Sequence, residues 1–222
     1  MLINRTNYLE IVKQLDVEHQ TLIAVSKTKP AAAILELYEM GQRDFGENYV
    51  QELCEKQATL PADIRWHFIG HLQRNKVKYL APFVYLIHGV DSEKLLGEIN
   101  RQGKNSGRVI DVLLQVFIAS EETKFGLDEK ELEDLLSAGK LSTLDHVRIR
   151  GLMGMASNTD REDKVRSEFR RLSGLFRHYS RQVDARHRFD TLSMGMSGDY
   201  RLALEEGSNM IRIGSLLFGQ RG

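Results

Sequence analysis

The feature that most constrains the fold is an alternation of short β-rich runs with longer helical patterns, repeated about eight times along the chain. Residues that begin and end helices separate the two kinds of segment, as Pro30 does before one helix and Gly41 after it. Chains that alternate in this way place their strands in parallel, because each helix returns the chain to the same end of the sheet. The sequence therefore predicts an α/β protein with a parallel sheet.

Eight strands are predicted, at residues 21–26, 44–46, 65–70, 83–90, 109–118, 148–155, 191–197 and 210–215. The helices predicted between them include residues 47–58, 72–80, 128–138 and 200–206, and a long one with its apolar face between Val165 and Val183. Residues 3–18 predict an additional N-terminal helix that buries Tyr8, Ile11, Val12 and Leu15. Eight β/α units in about 200 residues fit a closed barrel better than an open sheet. We therefore predict a single (β/α)8 TIM-barrel domain over residues 1–222.

The charge balance excludes several classes of protein. Lys and Arg number 31, as do Asp and Glu, so the formal net charge is zero. Nucleic-acid and membrane-surface binding both need a basic excess, so neither is expected. No stretch approaches the about 20 apolar residues that cross a bilayer. Cys54 is the single cysteine, and the first residues do not resemble a signal peptide, so we expect a cytoplasmic protein without disulfides.

The reactive groups of a parallel barrel lie at the carboxyl ends of its strands. The first predicted strand ends at Lys27, which follows an apolar run directly. One interpretation is a lysine whose alkyl chain covers the mouth of the barrel while its amine reaches water. The other is an amine in a partly dry pocket, where a lowered pKa allows it to form a Schiff base.

The last two predicted strands carry groups that suit an anion. Ser197 follows the seventh strand, and Gly214 and Ser215 end the eighth, where barrels commonly bind phosphate. Arg212 is predicted to point into the barrel, because it alternates with Gly214. Its partner there is either a carboxylate, such as Glu47 or Asp199, or the ring nitrogen of a cofactor. Together with Lys27, these groups describe a site for pyridoxal 5′-phosphate (PLP).

Six segments, which include Lys27, Ser197, Arg212 and Gly214, resemble the pyridoxal phosphate homeostasis protein family. They are residues 25–30 (VSKTKP), 45–52 (FGENYVQE), 66–70 (WHFIG), 150–153 (RGLM), 193–197 (SMGMS) and 212–214 (RIG). The resemblance runs from about Thr21 to Gly219. It implies a barrel similar to the N-terminal domain of alanine racemase. It also implies PLP bound as an internal aldimine on Lys27, as part of vitamin B6 homeostasis.

The same resemblance implies a role for each residue of the site. The phosphate would lie against Ser197, Gly214 and Ser215, Arg212 would meet the pyridine nitrogen, and Asn48 would lie near the cofactor. Lys124 is also expected near the mouth of the barrel, in a role that the sequence does not define.

The chemistry of Arg212 disfavours transaminases and decarboxylases, whereas a racemase remains compatible with it. A guanidinium stays protonated and only donates hydrogen bonds, so the ring nitrogen beside it would stay unprotonated and the ring would be a poor electron sink. A racemase needs a second acid/base group, which alanine racemase takes from another domain. We therefore expect a PLP carrier with no catalytic residues, which passes the cofactor to PLP-dependent apoenzymes. The alternative is a weak amino-acid racemase that uses Tyr49, His67 or Lys29 as a base.

Two further signals carry less weight. His67, His71, His88 and Cys54 do not have the spacing of zinc ligands, so no metal site is predicted. Residues 161–188 carry nine basic side chains against four acidic ones, which is typical of a solvated helix face. A nucleic acid or protein docking on that face is a third hypothesis.

A single barrel can stand alone, so we expect a monomer.

Overall fold

The computed structural model describes residues 2–16, 19–119, 125–183 and 187–219. Lys124 and the last two residues of the predicted N-terminal helix lie outside these ranges. No helix of the described part is long and apolar enough to cross a membrane.

Eight parallel strands close into a barrel in chain order. They are β1 (Thr21–Val25), β2 (Asp44–Glu47), β3 (Arg65–Phe68), β4 (Leu86–Val90), β5 (Ile110–Gln115), β6 (Val147–Met153), β7 (Thr191–Ser193) and β8 (Met210–Ile213). The closure is made by β8, which pairs with β1 from Thr21 opposite Met210 to Ala24 opposite Ile213. The predicted (β/α)8 barrel is therefore confirmed.

An N-terminal helix precedes the barrel, as the sequence predicts. This helix, α1 (Arg5–Gln14), begins after Asn4, whose side chain accepts a hydrogen bond from the N–H of Asn7. Tyr8 and Ile11 are buried in the core. Two hydrogen bonds tie the helix to the end of the chain: Asn4 N–H donates to the Leu217 carbonyl, and the Asn7 side chain donates to the Leu216 carbonyl.

Helices follow the strands around the barrel. They are α2 (Ala31–Glu39), α3 (Val50–Thr59), α4 (Val77–Leu80), α5 (Glu93–Asn105), α6 (Glu129–Leu135), α7 (Ala138–Leu141), α8 (Glu162–Tyr179), α9 (Tyr200–Glu205) and α10 (Ser215–Phe218). The main core lies between these helices and the outer side of the strands, and a smaller cluster around Ile23, Leu113 and Met153 fills part of the interior.

Several boundaries differ from the predictions for local reasons. The fourth strand begins at Leu86 rather than at residue 83, because the N–H groups of Phe83 and Val84 both bond to the Leu80 carbonyl in a turn. The seventh strand ends at Ser193, since the backbone of Gly195 turns away with a φ of 95°. The eighth ends at Ile213, just before α10.

Three helices also differ from their predicted bounds. The helix predicted at residues 47–58 begins at Val50, because Glu47 still belongs to β2. The one predicted at 72–80 is a 3₁₀ turn, Arg74–Lys76, followed by α4. The one predicted at 128–138 ends at Leu135, and α7 follows it as a separate turn of helix.

The basic face predicted at residues 161–188 lies mostly on α8, and three of its arginines pair with carboxylates on α6 and at the end of α9. Arg166 bonds to Glu205 and Glu206, and Arg170 also bonds to Glu206. Arg171 pairs with Glu129 at the start of α6. These ion pairs engage three of the nine basic side chains at the protein surface, where Arg170 is 66% exposed. This favours the solvated-face interpretation over a nucleic-acid surface.

Gly151 gives a test of barrel closure between β6 and β7. Its φ is 144°, and a Cβ there would overlap the carbonyl oxygen of Thr191, the residue opposite it on β7. We expect Gly151→Ala to cost about 3 kcal/mol of stability in urea unfolding. Gly174→Ala is the matched control on α8, where a Cβ meets nothing within 4 Å. It should stabilise the protein by about 1 kcal/mol. Equal stability of the two variants would contradict this account.

Candidate functional site

A cavity of about 350 Å³ opens at the carboxyl ends of the strands. We call it the upper cavity. The residues that line it are Val25, Lys27, Lys29, Asn48, Ile69, Met155, Met196, Ser197, Gly198, Arg212, Gly214, Ser215 and Gly219. All six residues predicted to bind the cofactor lie on it, although they are separated in the chain by up to 188 positions. Pockets for small molecules have volumes of roughly 300–1,000 Å³.

Lys27 lies in the turn directly after β1. Thr28, the next residue, has a left-handed backbone with a φ of 64°, and its N–H donates to Glu52 Oε1 over 2.6 Å. The Lys29 N–H closes the turn on the Ser26 carbonyl, and Lys29 Nζ donates to the Phe218 carbonyl over 2.9 Å. The position of Lys27 is thus held by bonds to α3 and to the end of α10.

A buried ionic network lies beneath this turn. Lys56 Nζ donates to Glu47 Oε1 and Glu52 Oε1, each over 2.7 Å, and to the Ser26 carbonyl over 2.8 Å. The Ser26 hydroxyl donates to the same Glu47 oxygen. Burial raises the pKa of Glu47 even though Lys56 acts to lower it. The network therefore joins β1, β2 and α3 under Lys27.

The sequence did not reveal this network. Lys56 is only 7% exposed, although a lysine on an amphipathic helix is ordinarily placed on the solvated face. The available signal is its spacing of three residues from Leu53, which puts both side chains on the buried face of α3.

The opposite wall of the upper cavity suits an anion. The Gly214 N–H donates to the Ser197 hydroxyl oxygen over 3.3 Å. This hydrogen bond joins the segment after β7 to the segment after β8. Gly214 precedes α10, so Ser215 lies in the first turn of that helix. First-turn N–H groups have no acceptor within their own helix, and they favour negative charge.

Arg212 lies between this wall and the barrel interior and is 4% exposed. Its guanidinium donates to Ser193 Oγ over 2.5 Å and to the Gly154 carbonyl over 3.1 Å. Burial lowers the pKa of Arg212 to about 10, against the opposing effect of Asp199, so the group is protonated at neutral pH. Of the two carboxylates considered as alternative partners of Arg212, Glu47 does not pair with it, because Glu47 bonds to Lys56 instead.

Asn48 supplies an open hydrogen-bonding position. It follows β2 and lines the upper cavity, and its Oδ1 is buried with no hydrogen-bond partner among the described residues. A buried amide oxygen without a donor is costly in a folded protein. A ligand with a donor group would satisfy it.

The three residues considered as racemase bases lie in different places. Lys29 lines the upper cavity, while Tyr49 is 56% exposed and lines an adjoining cavity of about 610 Å³. His67 is fully buried and lies at the opposite end of the barrel, beside Asp44.

The described residues contain no group of three or more metal-ligating side chains.

The barrel interior holds a chain of polar side chains that the sequence also did not reveal. Arg65 pairs with Asp44, whose carboxylate lies 3.0 Å from His67 Nε2. His67 Nδ1 lies 2.9 Å from His88 Nε2, and His88 Nδ1 lies 3.2 Å from Ser193 Oγ. Ser193 in turn bonds to Arg212. Polar contacts therefore run from the amino ends of the strands to the upper cavity.

Lys56→Met tests the buried network. The variant leaves the Glu47 carboxylate buried without its cation, and we expect it to lose about 3 kcal/mol of stability in urea unfolding. Adding Glu47→Gln to the variant should recover most of that loss. Lys140→Met removes an exposed ion pair with Glu93 and should change stability by less than about 0.5 kcal/mol. A Lys56→Met protein as stable as the Lys140→Met protein would refute the role of the network.

Comparison with known proteins places the chain in a family. The sequence profile of the alanine racemase N-terminal domain matches residues 4–222. The pyridoxal phosphate homeostasis protein of Aquifex aeolicus is 41% identical, over 90% of this chain and 86% of that one. The human protein of the same name is 40% identical, over 90% of this chain and 76% of that one.

Solved structures agree with this placement. PipY of Synechococcus elongatus with PLP bound superposes with a TM-score of 0.87 at 39% identity, covering 96% of this chain and 99% of that chain. Alanine racemase from Bartonella henselae shares the fold at 17% identity, with a TM-score of 0.69 over 94% of this chain and 56% of that one. The chain belongs to the pyridoxal phosphate homeostasis protein family, within the alanine racemase N-terminal fold.

Proposed function

We propose that this protein binds PLP in the upper cavity and holds it covalently on Lys27. The observation that carries the proposal is that the Lys27 amine, the hydroxyls of Ser197 and Ser215 and the buried Arg212 guanidinium line one cavity of suitable volume. A PLP-bound structure of a relative that is 39% identical supports it. The aldehyde of PLP and the amine of Lys27 condense to an imine with loss of water.

Each predicted site residue has a distinct part in this proposal. The phosphate is held by Ser197 and by the N–H groups at Gly214 and Ser215, where α10 begins. Arg212 donates a hydrogen bond to the ring nitrogen, since its guanidinium is buried at the same cavity. Asn48 Oδ1 accepts a hydrogen bond at the edge of the cavity, because it has no other partner among the described residues.

We propose further that the protein carries PLP rather than catalysing a reaction with it. Bound PLP supplies an electron-withdrawing ring to amino-acid chemistry, and that ring works best when an acid protonates its nitrogen. Arg212 only donates hydrogen bonds and leaves the nitrogen unprotonated, which disfavours transamination and decarboxylation. The case against a racemase rests instead on the positions of the candidate bases. In the described part of the chain, His67 lies away from the cavity and Lys29 bonds to the Phe218 carbonyl.

The cellular role that we propose follows from carrying PLP. As a monomer in the cytoplasm, the protein keeps PLP bound and passes it to PLP-dependent apoenzymes. It thereby affects amino-acid and keto-acid pools indirectly.

Lys27→Ala tests the binding site. The wild-type protein incubated with PLP should show a visible absorption band, and borohydride reduction should fix the cofactor to the peptide that contains Lys27. Lys27→Ala should lose the band, because Lys29, the other lysine on the upper cavity, donates to the Phe218 carbonyl. Lys29→Ala should still be labelled at Lys27. Labelling of wild-type protein at another lysine, or no uptake of PLP, would contradict the site.

An assay of amino-acid racemisation distinguishes a carrier from an enzyme. The loaded protein should racemise alanine and serine no faster than an equal concentration of free PLP. It should also restore activity to an apoenzyme that requires PLP, as measured by the activity of that recipient. Racemisation well above the rate with free PLP, abolished in Lys27→Ala, would show a racemase instead.

A further inference from the structure

The polar chain in the barrel interior has a donor-only group at one end and an acceptor-only group at the other. Arg212 cannot accept a hydrogen bond, so Ser193 Oγ must accept from it. Asp44 is paired with Arg65, and hydrogen bonds from Arg65 and His67 hold its pKa below the ordinary value although burial acts to raise it. The carboxylate of Asp44 is therefore ionised and only accepts. These two ends determine which of the groups between them donate and which accept each hydrogen bond.

The order of donors follows step by step from the Arg212 end. Ser193 Oγ already accepts from Arg212, so its own proton is free to donate to His88 Nδ1, 3.2 Å away. His88 must then carry its proton on Nε2 and donate it to His67 Nδ1 over 2.9 Å. His67 likewise carries its proton on Nε2 and donates to Asp44 Oδ1 over 3.0 Å. Every hydrogen bond then points from Arg212 toward Asp44, and both imidazoles are neutral.

If the hydrogen bonds between the histidines and Ser193 ran in the opposite direction, fewer of the buried polar groups would have a hydrogen-bond partner. A doubly protonated His67 would donate to both Asp44 and His88, and His88 would then donate from Nδ1 to Ser193. Ser193 Oγ would accept twice, and its hydroxyl proton would have no acceptor among the described contacts. A buried hydroxyl without a partner is costly. Burial, together with His67 and Arg212, also holds the pKa of His88 well below its ordinary range.

We propose that Ser193, His88, His67 and Asp44 are positioning residues that hold the Arg212 guanidinium at the upper cavity through this one-directional chain. The proposal rests on the proposed function, because it assigns Arg212 to the ring nitrogen of PLP. The chain also makes the Arg212 site continuous with the amino ends of the strands. There, Asp44, Arg65 and His67 line a second cavity, of about 640 Å³.

The tautomers of the two histidines test the direction of the chain without cofactor. Long-range ¹H–¹⁵N spectra of the ¹⁵N-labelled apoprotein near pH 7 report which ring nitrogen of each histidine is protonated. His67 and His88 should both be neutral and protonated on Nε2. A doubly protonated His67, or a proton on Nδ1 of His88, would overturn the proposal. This result does not depend on the folding of any variant.

Ser193→Ala tests the link to Arg212. The variant cuts the polar chain next to the guanidinium, so PLP should bind about tenfold more weakly. We expect added PLP to shift the ¹⁵N signals of His88 in the wild-type protein and not in the variant. Ser208→Ala is the control: it also removes a fully bonded, buried hydroxyl, and one that touches only backbone carbonyls. It should leave both readouts unchanged.

The outcomes are distinguishable from those of the proposed function. Wild-type affinity for PLP in Ser193→Ala, or a loss of affinity equal to that in Ser208→Ala, would overturn the positioning role while leaving the cofactor site in place. A wild-type protein that takes up no PLP would overturn the proposed function and the role of the chain toward Arg212, whatever the tautomers.

Discussion

The pairing of β8 with β1 is the interaction on which the candidate site depends. It closes the barrel and places the turn after β1 beside the turn after β8. Lys27 thereby shares one cavity with Arg212 and Gly214, although most of the chain separates them. An open sheet with the same strands would leave these groups at opposite edges. The closure therefore brings two segments that are far apart in the sequence together into one site.

Buried polar groups then determine where the site residues lie. Lys56 and Glu47 fix the turn that carries Lys27, and Ser193 holds Arg212. Such groups are costly to bury, and they persist only where each has a hydrogen-bonding partner. These groups contribute more to the positions of the site residues than to the net stability of the fold. The two polar systems lie on different sides of the sheet, one beneath α3 and the other inside the barrel.

The sequence predicts the strands, the helices and the barrel, because each element has a periodic pattern of apolar residues within its own stretch of chain. It also predicts that Lys27 and Gly214 lie at the same end of the barrel, because strand ends and glycines are local signals, and both residues line the upper cavity. It does not reveal which buried side chains meet. His88 and Ser193 are 105 positions apart, and their contact exists only after closure. Lys56 looks like an ordinary surface lysine in the sequence, so its ion pair with Glu47 is not predicted. Contacts between distant segments require the fold.

A crystal structure of the protein grown with PLP is the most direct test of the central claim, that barrel closure builds a PLP site. The account predicts density continuous with Lys27 Nζ, a phosphate at Gly214 and Ser215, and the ring nitrogen within hydrogen-bonding distance of Arg212. Cofactor density on another lysine, or a ring nitrogen that faces away from Arg212, would contradict it.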